Sequence, residues 1–577
     1  MKKSGELDSK TRYSVESEQK SNGATYTPKL LADFVAKQIV DATSEFPEDR
    51  PLRILDPAVG HGELLVSLGQ CLISRLRPRI ELYGFDTNPT ALNVATERLK
   101  RTFPDVPAYF EVKSFLDFVG EYFNDSRCNG SLSQVNPPTY DLIIANPPYV
   151  RTQILGSRHA QLLASQFKLS GRVDLYHAFV LGMSLVLGPK GIAGIIVSNR
   201  FMTTKSGASV RGALIDRFNL RSAWDLGDTK LFSAAVLPAV LLVQNKDSSV
   251  LGCPTFTSIY ETNEPASNKV PDVITALDSS GVVETQDGRH FKIQRGKLDT
   301  GGASDGVWRV SSTLSDAWLG KVEVNTWGTF RDVGKIRVGV KTCADKVFIR
   351  DDWDDMHESV RPELLRPLTT HHIANRFKPL VSSRAKMIVY PHEVVKGSRR
   401  AVDLADFPRT RTYLVSYRTT LENRRYLVDA GRNWYEIWVP RDPDLWHHPK
   451  LVFRDIALKP TFWIDFDGSV INGDCYWLSC SASSDLNILW LALAVANSSF
   501  VEQFYDLRFQ NKLYAGRRRF MTQYVEQFPL PDPNKSISRD IVSMVKKIHH
   551  LTSASEELKS RQEKLDAMVW RAFLGDE

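Results

Sequence analysis

The stretch Arg53-Ile54-Leu55-Asp56-Pro57-Ala58-Val59-Gly60-His61-Gly62-Glu63-Leu64-Leu65 decides the fold. Its first half is an apolar run too short for a helix and halted by proline, which reads as a buried strand. Two glycines follow, and from Glu63 to Leu76 apolar residues recur at helical spacing. The same alternation continues outward. Glu81–Asp86 reads as a second strand and Pro89–Phe103 as a helix. Tyr140–Tyr149 is a third strand closed by a double proline, and Asp174–Leu187 a helix. Gly191–Asn199 is a fully buried strand, and Val236–Gln244 closes the series. Strands alternating with helices require crossover connections, so the expected class is α/β with a mostly parallel sheet covered on both faces.

The chain has 577 residues, 42% hydrophobic and 24% charged, which excludes collagen-like, coiled-coil and wholly disordered classes. That length allows about three domains, or two large ones. Lys and Arg number 74 against 67 Asp and Glu, and the net charge of +7 is compatible with nucleic acid without indicating it. The six cysteines form no CxxC pair and no zinc-type cluster, so neither disulfides nor a metal is expected. Residues 1–22 are polar, without a signal-peptide core, and no apolar run approaches membrane-spanning length. We expect a cytoplasmic protein with a disordered tail over 1–22 and no membrane association.

Only Trp224 precedes residue 300; 11 tryptophans follow, six of them between 434 and 490. That shift predicts one domain over 23–250 and a linker with the opening of a second domain over 251–330. A mixed α+β domain ending in a helix is expected over 331–577.

The glycines after Asp56 let the backbone turn sharply and approach a ligand closely. The sequence is neither GxGxxG nor GxxxxGK[ST], so dinucleotide and phosphate-cradling readings are poor. Asp86 ends the next strand, where a carboxylate can accept hydrogen bonds from ribose hydroxyls. Either feature alone is ordinary; together, one βαβ unit apart, they favour an adenosine-type cofactor. Asn146-Pro147-Pro148-Tyr149 is the sharper signal. Two prolines stiffen the backbone, so the Asn146 side-chain oxygen and the Pro147 carbonyl form a fixed acceptor pair for an exocyclic amine. Tyr149 offers a face on which the ring bearing that amine can stack. Asn136-Pro137-Pro138-Thr139 lacks the preceding strand and the aromatic, and reads as loop.

In this order the residues resemble the DNA adenine-N6 methyltransferases of bacterial type II restriction–modification systems, in the subclass whose recognition domain comes last. Tyr26-Thr27-Pro28 resembles the family's leading cofactor segment. Asp56, Pro57, Ala58, Gly60 and Gly62 match its loop around S-adenosyl-L-methionine, and Asp86 its ribose-binding acid. Asn146, Pro147, Pro148 and Tyr149 match the catalytic tetrapeptide, and Asp174-Leu175-Tyr176 resembles the following helix motif. Phe232 stands where the family has a wall for the target base. The resemblance implies a Rossmann-like methyltransferase domain acting on double-stranded DNA by base flipping. It also implies a C-terminal DNA-recognition domain and a cognate restriction endonuclease acting separately; we expect a monomer. One departure is Lys113-Ser114-Phe115-Leu116, where Ser114 replaces the family's acid; Phe115 either packs on the cofactor's adenine or is core. Three alternatives stay open: a protein glutamine-N5 methyltransferase, which shares the tetrapeptide; a cytosine-N4 DNA methyltransferase; and a non-catalytic DNA-binding protein on the same scaffold.

Looser resemblance to recognition domains runs through Gly339–Thr342, Lys346–Phe348, Asn433–Trp438, Asn472–Tyr476, Ala496–Ser498 and Phe528–Pro531. Residues 371–460 hold 17 Lys and Arg against 9 Asp and Glu, interleaved with aromatics. A phosphate-contacting surface needs such a surplus, though a solvated basic face over an aromatic core explains most single residues. Lys341 and the run Arg517-Arg518-Arg519 are the expected DNA contacts.

Overall fold

The computed structural model describes residues 27–75, 79–128, 138–149, 174–232, 237–246, 252–302, 306–382, 384–480, 486–513, 516–551 and 556–575. Tyr26 and the expected tail lie outside these residues. Two compact units form: Met1–Ser312 with Leu513–Gly516, and Thr313–Lys512 with Arg517–Glu577.

The first unit is built on a 12-stranded sheet. Its leading strands are β1 (Leu52–Asp56), β2 (Ile80–Asp86), β3 (Ala108–Val112), β4 (Tyr140–Ala145), β5 (Leu187–Ser198), β6 (Phe218–Asp225) and β7 (Pro238–Asn245). They lie in the order β3-β2-β1-β4-β5-β7-β6. The first five pair in parallel, and β7 is antiparallel to both of its neighbours. Leu142, Ile143 and Ile144 are all buried, the unbroken apolar run that a strand covered on both faces requires. One face is covered by α1 (Lys29–Ala42), α2 (Glu63–Arg75) and α3 (Pro89–Thr102), whose apolar residues share one core cluster. The other is covered by α4 (Phe115–Cys128), α5 (Leu175–Val186) and α6 (Ala208–Arg217), which contribute to a second.

Residues 251–330, expected to be a linker and the opening of a second domain, instead continue this sheet as far as Ser311. Strand β8 (Thr255–Glu261) pairs in parallel with β6. Beyond it lie β9 (Asn268–Val270), β10 (Gly281–Thr285), β11 (His290–Asp299) and β12 (Arg309–Ser311). Ile259, Val283 and Phe291 join the first core, and Phe256, Leu298 and Trp308 the second. Alternation in β11 and short, polar connections masked these strands in the sequence, since antiparallel edges carry fewer apolar residues than a central parallel strand.

The second unit mixes short strands and helices. One four-stranded sheet runs Ile336–Val338, Cys475–Ser479, Lys450–Arg454, Phe462–Asp465, and another Ile349–Arg350, Met387–Val389, Leu365–Thr369, Val470–Ile471. Helices α7 (Leu486–Ala496), α8 (Ser499–Arg508), α9 (Ser536–His550) and α10 (Glu556–Leu574) share a core with the first sheet. Trp353, Trp446, Trp463 and Trp477 are fully buried in a separate core, so much of the tryptophan enrichment is packing. No described helix is long and apolar enough to cross a membrane.

Gly84 of β2 shows how tightly the glycine loop sits on the sheet. A Cβ there would lie 2.2 Å from Val59 Cγ2 and 3.2 Å from the Asp56 carbonyl oxygen. Gly84→Ala should therefore destabilise the protein by about 1–3 kcal/mol through overpacking, read as a lowered melting temperature. An unchanged melting temperature would mean that the loop can shift freely.

Candidate active site

Chain order reverses between β1 and β4: β2 lies on one side of β1 and β4 on the other. In open α/β sheets, ligand crevices form beyond the carboxyl ends of the strands at such a point. Asp56 ends β1, Asp86 ends β2 and Asn146 follows β4, so the register brings all three to one edge.

Asp56 is fully buried. Its Oδ1 accepts the Ala58 N–H at 2.9 Å, while its buried Oδ2 has no partner among the described residues. Burial pushes this carboxyl up to about 7; the Ala58 bond opposes the rise and the nearby Asp86 charge adds to it. Gly60 and Gly62 take left-handed φ values of 52° and 77°, which a side chain would resist. The Gly60 N–H donates to Asp86 Oδ2 and the Asn88 N–H to Asp86 Oδ1, both at 2.8 Å. Val59 N–H donates to the Phe85 carbonyl at 3.0 Å. Asp86 thus ties the loop to the second strand, and each of its oxygens keeps a further lone pair for a ligand hydroxyl.

Asn146 is held from two sides. Its Nδ2 donates to Thr27 Oγ1 at 2.9 Å, and its Oδ1 accepts the Tyr149 hydroxyl at 2.9 Å. Thr27, expected to be a cofactor residue, therefore also sets the orientation of the Asn146 amide. Its place just before α1 explains how: Pro28 caps that helix, and α1 packs its buried face toward β5. The Tyr149 ring is half-buried and meets Tyr176 edge-on with centroids 6.1 Å apart. Burial holds the Tyr149 hydroxyl above its ordinary range, so it stays a neutral donor. Asp174 stands at the N-cap of α5.

Two expected contacts are placed in the core. Phe115 is 1% exposed and packs against Phe85, Phe118 and Phe179, so it is core rather than an open face for a cofactor ring. Ser114 Oγ accepts the Leu116 N–H at 3.2 Å, a helix-starting contact. Phe232 is 5% exposed and joins the cluster of Trp224 and Leu226; the expected base wall offers no free ring face here. An aromatic after a strand reads alike from sequence whether it faces a ligand or the core.

Sequence reasoning missed a buried polar cluster at the same sheet edge. Asn199 Nδ2 donates to Asp225 Oδ1 at 2.8 Å, the Tyr260 hydroxyl to Asp225 Oδ2 at 2.6 Å, and the Gly227 N–H to Asp225 Oδ1 at 3.1 Å. Together they anchor the turn out of β6. The visible signal was Asp-Leu-Gly directly after an apolar strand.

In the second unit, Arg518 pairs with Asp506 at 2.7 Å and Arg519 with Asp455 at 3.1 Å, so both expected DNA contacts are engaged within the protein. Arg517 and Lys341 are exposed. Two resembling stretches meet where Val340 bridges Asn472, and Lys341 bridges Val439, the residue just after Asn433–Trp438. Asn497 is structural, bonding both the N–H and the carbonyl of Phe462.

Residues 81–232 match the Eco57I restriction-modification methylase family. The type II methyltransferase M.BanIII of Aneurinibacillus aneurinilyticus is 36% identical over 567 residues, 96% of this chain and 97% of that protein. M.PaeR7I of Pseudomonas aeruginosa is 24% identical, over 94% of this chain and 93% of its own. Among solved structures, the type IIL restriction-modification enzyme MmeI in complex with DNA superposes with a TM-score of 0.58 at 12% identity. That likeness spans 95% of this chain and 73% of that one, and it concerns the fold alone.

The Asp56 carboxyl gives a stability signature. Unfolded, it titrates near 3.8, whereas folded it holds its proton up to about 7. Across that window the folded chain binds more protons than the unfolded one, so stability falls as pH rises. Asp56→Asn keeps an acceptor for Ala58 and should abolish this component. The melting temperature of the variant relative to wild type should climb between about pH 4 and pH 7; a constant difference would refute the assignment.

Proposed function

The chain belongs to the type II restriction–modification methyltransferases, and from that premise we propose that it methylates N6 of an adenine rotated out of duplex DNA. The observation that carries the adenine reading is Asn146-Pro147-Pro148-Tyr149 at the carboxyl end of β4, with the Asn146 amide already oriented by Thr27. S-adenosyl-L-methionine supplies an activated methyl on a sulfonium, so positioning and charge stabilisation are what remain for the protein. The residues fit such a ligand: an unpartnered buried carboxylate oxygen on Asp56, a left-handed loop at Gly60 and Gly62, and the Asp86 carboxylate. With Thr27, Pro28, Pro57 and Ala58 these would hold it.

Adenine N6 is a weak nucleophile because its lone pair is delocalised into the ring. Asn146 Oδ1 and the Pro147 carbonyl accept its two hydrogens and stabilise the positive charge that develops at the nitrogen. Oδ1 has two lone pairs, and accepting the Tyr149 hydroxyl is compatible with a second donor at the same oxygen. Rotating the base out of the duplex costs a few kcal/mol. Stacking on Tyr149, worth roughly 1–3 kcal/mol, offsets much of that. The chain acts as a monomer, protecting DNA from a separate cognate endonuclease.

Incubation with methyl-labelled cofactor and duplex DNA, followed by digestion to nucleosides, should give N6-methyladenine. Label on cytosine N4 or on a protein glutamine would overturn the adenine assignment. Asn146→Ala should lower turnover by about 10²–10³-fold while cofactor still binds in calorimetry. Asp86→Ala should instead weaken cofactor affinity, and an unchanged Kd would remove its ribose role.

A further inference from the structure

Four arginines of the second unit gather around one aromatic stack. The Arg337 guanidinium lies over Trp477 at 5.2 Å, and that of Arg366 over Tyr390 at 5.2 Å. Between them, Trp446 stands 5.1 Å from Trp477 and 6.5 Å from Tyr390, ring centre to ring centre. The stack is rigid: Tyr390, Trp446 and Trp477 are fully buried, and the Tyr390 hydroxyl accepts from Trp446 Nε1 and donates to the Pro440 carbonyl at 2.6 Å. That last bond pins the backbone just before Arg441. Arg399 reaches the Arg441 carbonyl with Nη1 at 3.4 Å.

None of the four guanidiniums lies within ion-pair distance of a carboxylate among the described residues, although the Asp442 charge acts on Arg337. Arg518 and Arg519, by contrast, are bound by Asp506 and Asp455. The Arg441 Nε is buried with no hydrogen-bond partner, and the residue holds a left-handed φ of 65°. Strain of this kind in a non-glycine residue concentrates at functional positions. Burial, then the charges of Arg337 and Arg399, hold the Arg441 guanidinium below its ordinary range, as expected where like charges gather. The nearby Asp442 caps the following turn by accepting the Asp444 N–H. Arg441 lies two residues beyond Val439, which bridges Lys341, and Arg337 four residues before Lys341, so the cluster flanks the junction of the recognition-type segments.

We propose that Arg337, Arg366, Arg399 and Arg441 bind backbone phosphates of the duplex, and that this cluster, rather than the run at 517–519, anchors the DNA. Guanidiniums fixed on a rigid aromatic floor present their forked donors to phosphate oxygens with little ordering cost. Such contacts position the duplex without reading its sequence. The proposal rests on duplex DNA being the substrate.

Duplex binding by the full chain, measured by anisotropy over a range of salt concentrations, tests it. Arg399→Gln alters an exposed side chain and should lower the slope of log K against log salt by about one; Arg337→Gln with Arg399→Gln should lower it by about two. The loss should be equal on cognate and unrelated duplexes, with cofactor affinity unchanged. If wild type binds and methylates DNA while Arg399→Gln and the double variant keep its slope and affinity, the cluster assignment falls and the methyltransferase reading stands. A loss confined to the cognate sequence would also overturn it, by making these base contacts. Should the double variant melt early, Arg399→Gln alone decides. A wild-type chain that binds no duplex would overturn both readings.

Discussion

The parallel register of β2, β1 and β4 is the constraint on which the candidate site depends. Leu55 stands opposite both Tyr83 and Ile143, so neighbouring strands finish level and deliver Asp56, Asp86 and Asn146 to one edge. That arrangement forces a carboxylate into the protein at the end of β1. A buried unpaired charge is expensive, and a group in that position takes up a proton instead. Burial raises the Asp56 carboxyl to about 7 in this way, with one oxygen satisfied by Ala58 and the other left open among the described residues. A ligand donating to that oxygen would favour the ionised form, so binding of such a ligand and protonation at this strand end would be linked.

The central elements were legible because their sequence pattern has a single cause. Leu142-Ile143-Ile144 is apolar on both sides because the strand is covered on both sides, and Gly60 and Gly62 are glycines because φ is left-handed there. Where one pattern has two causes, the sequence misled. Phe115 and Phe232 have the residue type and position of ligand-facing aromatics, yet both satisfy the core. The extension from β8 to β12 was read as a linker because short edge strands with polar turns lack a long-range signal. Its partner β6 is remote in the chain, and only pairing reveals it.

Charge followed the same division. The sequence showed a basic surplus between 371 and 460 and a conspicuous triplet at 517–519. A cation's availability depends on its partners, which composition does not encode. Arg518 and Arg519 are engaged by Asp506 and Asp455, and Arg424 is buried while donating to the carbonyls of Thr342, Trp434 and Glu436. A triplet of arginines is therefore weaker grounds for DNA contact than single arginines held around buried rings outside any close ion pair among the described residues.

The Asn146 amide shows how the start of the described chain reaches the candidate chemistry. An asparagine can present either its oxygen or its nitrogen to a neighbour, and only the oxygen can accept from an amine. Thr27 engages the nitrogen and Tyr149 donates to the oxygen, so both contacts favour the same rotamer. The prolines fix the backbone but leave that amide rotation free, so stiffness in the tetrapeptide alone does not prepare the acceptor. Preparation requires a hydroxyl some 119 positions earlier in the chain, carried to the site by the packing of α1. The leading Thr-Pro segment is therefore part of the geometry of the candidate site, and its spacing from the tetrapeptide is set by the sheet rather than by the local sequence.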